Sequence, residues 1–147
     1  MDEHWKDPIA RGAFLKRFGS ILAAVAFGRG NLARLVPTMV SLEHPEPRPD
    51  VTAERVLSTD ALATVKSKDV LAAYDGARAY PSIFDGIACG CGCSGKNGTH
   101  RSLLVCFETM QPTGCHACQQ EAELVARLAK QDTELAEIRV AVDKKFG

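Results

Sequence analysis

Cysteine is the residue type of this chain with the most chemical potential, because thiolates bind soft metal ions, pair as disulfides and carry out redox reactions. All six cysteines of the 147-residue chain fall within one short window. They are Cys89, Cys91, Cys93, Cys106, Cys115 and Cys118. This confinement indicates a shared site, a disulfide staple, or both.

The spacing of the cysteines allows their sulfurs to converge. Glycine separates the first three, in the run Cys89–Cys93, and it lets a short loop turn several thiolates toward one point. Cys115 and Cys118 are three residues apart at the start of a predicted helix, so they share a face, and the helix N-terminus favours thiolate. Cys106 lies on the inner side of a short predicted helix, and His100 near the start of that helix is a further candidate ligand.

Three interpretations of this pattern are open. The first is a metal site of four thiolates, or of three thiolates and an imidazole, for a tetrahedral zinc ion or for one or more Cu(I) ions. The second is a disulfide framework, which an even cysteine count allows. The third is thiol redox catalysis at Cys115 and Cys118, but the β-α-β context of a thioredoxin-like fold is missing. We favour the metal site, with copper or zinc as the ion, and take all six cysteines and His100 as its candidate ligands.

No other residues form a recognisable catalytic set. Ser94 and Ser102 lack convincing His and Asp partners, and no phosphate-binding loop or dinucleotide fingerprint is present. His116 is expected to point to solvent, and His44 to have no special role. Four glutamates alternate with basic residues on predicted helices and are expected to be solvated, namely Glu121, Glu123, Glu134 and Glu137. The sequence therefore predicts a binding protein and not an enzyme.

Composition excludes several function classes. Lys and Arg total 18 and Asp and Glu total 18, so the net charge is zero, whereas a general nucleic-acid-binding protein usually carries a basic surplus. Hydrophobic residues make up 46 %, which suffices for a packed core. No apolar run reaches the length of about 18 residues that is typical of a membrane-spanning helix.

The N-terminal segment, residues 1–42, differs from the rest of the chain. Basic residues precede the uncharged stretch 18–28, which is the layout of a secretory signal. Residues 11–16 are similar to a twin-arginine export signal in which Gly12 replaces the second arginine. The alternative is an amphipathic helix, and either interpretation allows membrane association through this segment. The signal interpretation places the protein outside the cytoplasm, in the periplasm or cell envelope.

The remaining residues are predicted to form an all-α fold. Residues 43–50 carry three prolines and are predicted to be a linker. Residues 51–147 show helical periodicity without the sustained alternation that a sheet needs. We expect a small helical domain over 51–147 with a glycine- and cysteine-rich metal-binding loop, preceded by the signal-like N-terminal helix.

Local signals place the helix starts. Ser67 is a predicted N-cap, Pro81 suits the first turn of a short helix, and Thr133 is the predicted cap of the last helix. Helical spacing is also present at Leu62 and Val65, after a polar cluster that resembles a cap. A longer helix is predicted from Cys115 to about Lys130.

The stretch from Tyr74 to Gly147 resembles a bacterial family of uncharacterised proteins named after a Pro-Cys-Tyr-Cys-Gly-Cys (PCYCGC) motif. The family proline corresponds to Ala88 here, and the family tyrosine to Gly90. Members are typically exported or lipid-anchored, but the N-terminal segment has no cysteine, so a lipid anchor is not expected. The matching residues are Ala88 to Cys93, His100 to Leu103, Cys106, Phe107, Cys115, Cys118, Glu137 to Arg139, Phe146 and Gly147.

Together these patterns predict a cysteine-rich helical protein that binds, stores or transfers copper or zinc outside the cytoplasm. Its expected partners are the metal ion and a metal-transfer protein, and no nucleic acid. The main alternative is a disulfide-stapled interaction module of the cell envelope, followed by a thiol redox protein.

Overall fold

The computed structural model describes residues 41–94 and 98–147, which belong to one compact unit, Met39–Gly147. Up to residue 40, the predicted signal-like or amphipathic segment lies outside the described residues and stays a prediction. Among the residues described, no helix is both long enough and apolar enough to span a membrane.

Five α-helices make up the regular structure of these residues, and no strand is assigned in them. The helices are α1 (Lys68–Ala79), α2 (Pro81–Asp85), α3 (Leu103–Cys106), α4 (His116–Ala129) and α5 (Leu135–Phe146). A 3-10 turn at Gln111–Thr113 precedes α4, and an isolated bridge joins Ser94 and His100. The predicted all-α fold is therefore confirmed for the described part of the chain.

Two of the predicted helix starts are confirmed. The Ser67 hydroxyl accepts a hydrogen bond from the Val70 N–H at 3.4 Å and caps α1. Pro81 occupies the first turn of α2, where its missing N–H leaves no helical hydrogen bond unmade. Each of these signals acts within a few residues of the chain, so the sequence was sufficient to place them.

Two other expectations were wrong. The N-cap of α5 is Glu134 and not Thr133, because the Glu134 carbonyl accepts the first helical hydrogen bonds, from Glu137 and Ile138. The stretch around Leu62 forms successive turns instead of a helix. The Leu62 N–H donates to the carbonyls of Ser58 and Thr59, and the chain then leads directly to the cap of α1.

The core is built around the close packing of α1 against α4. Gly76 of α1 faces Ala126 of α4, and a Cβ atom at Gly76 would lie only 2.7 Å from the Ala126 Cβ. Three buried rings pack edge to face beside this contact, with the Phe107 centroid 5.0 Å from that of Tyr74 and 5.9 Å from that of Phe84. The Tyr74 hydroxyl donates to a backbone carbonyl at 2.6 Å, and burial raises the pKa of Tyr74 to about 12.

The proline-rich segment 43–50 is tied to the helices through a buried carboxylate. Asp85, at the end of α2, is fully buried and accepts hydrogen bonds from Arg48 at 2.9 Å and from Ser102 at 2.9 Å, and it pairs with Arg101 at 2.8 Å. Burial by itself would raise the pKa of Asp85, but these partners outweigh it and hold the pKa below its usual range. The segment predicted as a linker thus contributes a charged contact to the helical domain.

Replacing Asp85 by asparagine should destabilise the fold, since two guanidinium groups lose their charged acceptor. We expect the free energy of unfolding at pH 7 to fall by about 2–3 kcal/mol in urea denaturation. Ionised Asp85 stabilises the fold at pH values above the pKa that Asp85 has in the unfolded chain. This contribution is lost as the pH falls through the lower pKa that Asp85 has in the folded protein. The difference from wild type should therefore shrink in acid.

Asp75→Asn is the matched control, because Asp75 is exposed and pairs with Arg78 of the same helix. Its expected effect is below about 0.5 kcal/mol. Equal losses in the two variants, or a loss for Asp85→Asn that is the same at every pH, would contradict this role.

Candidate metal centre

Three segments of the chain bring the six thiols together. The loop 88–94 carries three of them, Cys106 ends α3, and Cys115 and Cys118 lie at the start of α4. All six are free thiols. Neighbouring sulfur atoms lie between 2.7 and 3.5 Å apart, so the thiols form one contact cluster.

The sulfur atoms fall into two overlapping groups, in each of which all Sγ atoms lie within 4.8 Å of one another. We call them the four-thiol group and the three-thiol group. Cys118 belongs to both. The four-thiol group is Cys89, Cys93, Cys106 and Cys118, and the three-thiol group is Cys91, Cys115 and Cys118. Because thiolates are soft ligands and the sulfurs of each group lie this close together, the cluster can hold a metal ion.

Cys118 lies at the centre of the cluster. Its Sγ is 2.7 Å from that of Cys115, 3.5 Å from that of Cys89 and 3.5 Å from that of Cys91. The Cys115 Sγ also accepts a hydrogen bond from the Cys118 N–H at 3.4 Å, so this thiol is the N-cap of α4. One sulfur atom therefore contacts both the glycine-rich loop and the preceding turn.

The cluster has a buried inner side and a partly exposed rim. Cys89, Cys106 and Cys118 are at most 1 % exposed, whereas the other three cysteines are partly buried. Interactions among the crowded thiols act on these pKa values in both directions, and together with burial they raise the pKa of all three buried thiols. These thiols therefore hold their protons at neutral pH, and an incoming cation must displace them.

His100, the candidate imidazole ligand, lies beside the cluster. Its Nδ1 is 3.2 Å from the Cys106 Sγ, and its backbone N–H donates to the Cys93 carbonyl at 2.9 Å. It belongs to neither thiol group. His116 is exposed, as predicted from its position between two cysteines on a helix.

The expectation that Glu121 is solvated was wrong. This glutamate is fully buried, and its carboxylate accepts the Gly90 N–H at 3.0 Å and 3.3 Å from its two oxygens. Burial raises the pKa of Glu121 to about 7. Its position three residues after Cys118 places both side chains on one face of α4, which is the pattern that would have indicated an inward orientation.

His44 is a second residue whose role the sequence did not reveal. Its Nδ1 accepts the Ala88 N–H at 3.0 Å, and its Nε2 lies 3.1 Å from a carboxylate oxygen of Asp143 in α5. Burial lowers the pKa of His44, so we assign a neutral ring that donates from Nε2. Together with Glu121, it holds the backbone on both sides of Cys89.

Gly90 lets the end of α5 pack against the thiol loop. A Cβ atom at this position would lie 2.7 Å from the Phe146 Cβ and 3.1 Å from the Phe146 carbonyl oxygen. Gly92, two residues later, has a φ of 82°, in the left-handed region that glycine adopts most readily.

Gly90→Ala should therefore strain the contact with Phe146. We expect a loss of about 1–3 kcal/mol in the free energy of unfolding, measured by urea denaturation, because either the loop or the end of α5 must shift. The control is Gly114→Ala, where no atom lies within 4 Å of the added Cβ. Similar stability of the two variants would show that this close approach does not constrain the loop.

No protein-family model, curated protein or solved structure matches this chain. The resemblance to the PCYCGC family stays a prediction that rests on the motif residues.

Proposed function

We propose that the protein binds a soft transition metal, copper or zinc, through its cysteine cluster, and that it stores or transfers this metal outside the cytoplasm. The observation that carries the proposal is the convergence of six free thiols, from three segments of the chain, into one contact cluster.

The chemistry of the available ligands supports copper or zinc. Thiolate sulfur favours Cu(I) and Zn(II) over hard cations. The nearby carboxylate of Glu121 is engaged with the Gly90 N–H, so its oxygens are held by the loop. The four-thiol group has the number of ligands that a tetrahedral zinc ion requires, and Cu(I) accepts fewer sulfurs.

Storage or transfer fits the cluster better than catalysis of a covalent reaction. The cysteines of the rim, Cys91, Cys93 and Cys115, are partly exposed. A partner protein with its own thiols or imidazoles could therefore approach this side and exchange ligands with a bound ion.

The location outside the cytoplasm rests on the sequence of residues 1–42, with its basic residues and uncharged stretch. Sequencing the N-terminus of the mature protein tests it. We expect a chain shortened within or just after this segment and recovered from the cell envelope, and an intact chain in the cytoplasm would contradict the location.

Metal binding is tested with full-length protein that has been purified without chelator and without added reductant. We expect bound copper or zinc in elemental analysis and six titratable thiols under denaturing conditions after metal removal. Protein without metal and without free thiols would instead support the disulfide-stapled module.

Cys93→Ser tests whether the cluster is the site of binding. Cys93 is partly exposed, and its Sγ contacts that of Cys91 at 2.9 Å and that of Cys106 at 3.3 Å. We expect its zinc affinity, measured by competition with a chromophoric chelator, to fall by more than about tenfold. The control His116→Ala changes an exposed imidazole between two cysteines and should bind like wild type. Equal affinities of all three proteins would contradict the assignment.

A further inference from the structure

We propose that the cysteine cluster holds two metal ions that share the Cys118 thiolate, one in the four-thiol group and one in the three-thiol group. This inference rests on the proposed function, because it concerns how the same thiols divide the metal. The ions it concerns are soft closed-shell cations, namely Zn(II), Cu(I) and their surrogate Cd(II).

A single ion cannot use all six sulfurs. Structural ions of this class are bound by up to four thiolates, which the four-thiol group supplies. Cys91 and Cys115 then remain outside that ion, although their sulfurs lie with that of Cys118 within 4.8 Å of one another. Three sulfurs at this spacing define a second position.

Cys118 is the sulfur that can serve both positions. It contacts Cys89 of the four-thiol group and both other members of the three-thiol group. A thiolate has more than one lone pair and can bind two cations at once. The first turn of α4 holds this sulfur between the two groups.

The charge of the cluster also favours two cations. In residues 41–94 and 98–147, the sulfur atoms hydrogen-bond to one another, to His100 and to backbone groups. Among these partners there is no lysine or arginine, and the Glu121 carboxylate lies next to the thiol loop, at the Gly90 N–H. Neighbouring thiolates repel one another in a buried site. One bound cation does not neutralise all of the thiolates in the cluster, and a second cation offsets the remaining negative charge.

The two positions differ in exposure. Three of the four sulfurs of the four-thiol group belong to fully buried side chains. Two of the three sulfurs of the other group, those of Cys91 and Cys115, lie on the partly exposed rim. The inner ion thus has a closed set of ligands, whereas the outer ion has three sulfurs and room for an incoming ligand. The outer ion is the one that exchanges first.

Titration of the reduced full-length protein with Cd(II) tests the inference. We expect saturation at two ions per chain. NMR with an NMR-active cadmium isotope should give two signals that are coupled to each other, because a shared thiolate transmits scalar coupling between the two nuclei.

Cys115→Ser removes a sulfur that belongs only to the three-thiol group. Serine is a favoured N-cap residue, so it can still accept the hydrogen bond from the Cys118 N–H and preserve the start of α4. We expect this variant to bind one Cd(II) ion and to show one uncoupled signal. The control His116→Ala should keep two coupled signals.

The outcomes separate this inference from the proposed function. Saturation at one ion per chain, or two signals without coupling, would overturn the shared thiolate while metal binding stands. Reduced, folded protein that binds no Cd(II), zinc or Cu(I) would overturn the proposed function itself.

Discussion

The thiol loop depends on a buried carboxylate that binds its backbone. The loop residues from Ala88 to Ser94 form no helix or strand, so their N–H groups need other acceptors. Glu121 accepts the Gly90 N–H, and its burial carries an energetic cost that raises its pKa to about 7. The same helix face carries Cys118, so α4 both supplies a central sulfur and holds the loop that supplies three more.

A second set of polar contacts positions Cys106, the thiol at the end of α3. Asp85 binds Ser102, the N-cap of α3, and the Leu103 N–H donates to the Ile87 carbonyl at 2.7 Å. These bonds join the start of α3 to the residues that lead into the thiol loop. Cys106, at the end of this one-turn helix, therefore reaches the cluster. Fold and site thus share the same buried polar groups, and a change in either is expected to affect both.

Sequence reasoning predicted the parts of this structure that depend on local signals. The cap at Ser67, the proline at the start of α2 and the periodicity of α4 each act within a few residues. Membership of the cysteine cluster was also predictable, since all six cysteines share one window. Its division into two groups was not, because Cys118 meets the loop only through long-range contacts such as the bond of Glu121 to the Gly90 N–H.

The contacts of Glu121 and His44 show why the remaining features were missed. A glutamate among basic residues on a helix resembles a solvated one, and only its spacing from Cys118 indicates otherwise. His44 and Ala88 are separated by 44 residues in the sequence, and nothing local marks them as partners. Such long-range polar contacts arise from tertiary packing, which periodicity does not describe.

The central claim is that the thiols of three segments meet at one all-sulfur centre. X-ray absorption spectroscopy at the zinc edge of the zinc-loaded protein tests this most directly. The account predicts a first shell of sulfur atoms at roughly 2.3 Å. A first shell dominated by nitrogen or oxygen at roughly 2.0–2.1 Å would contradict it.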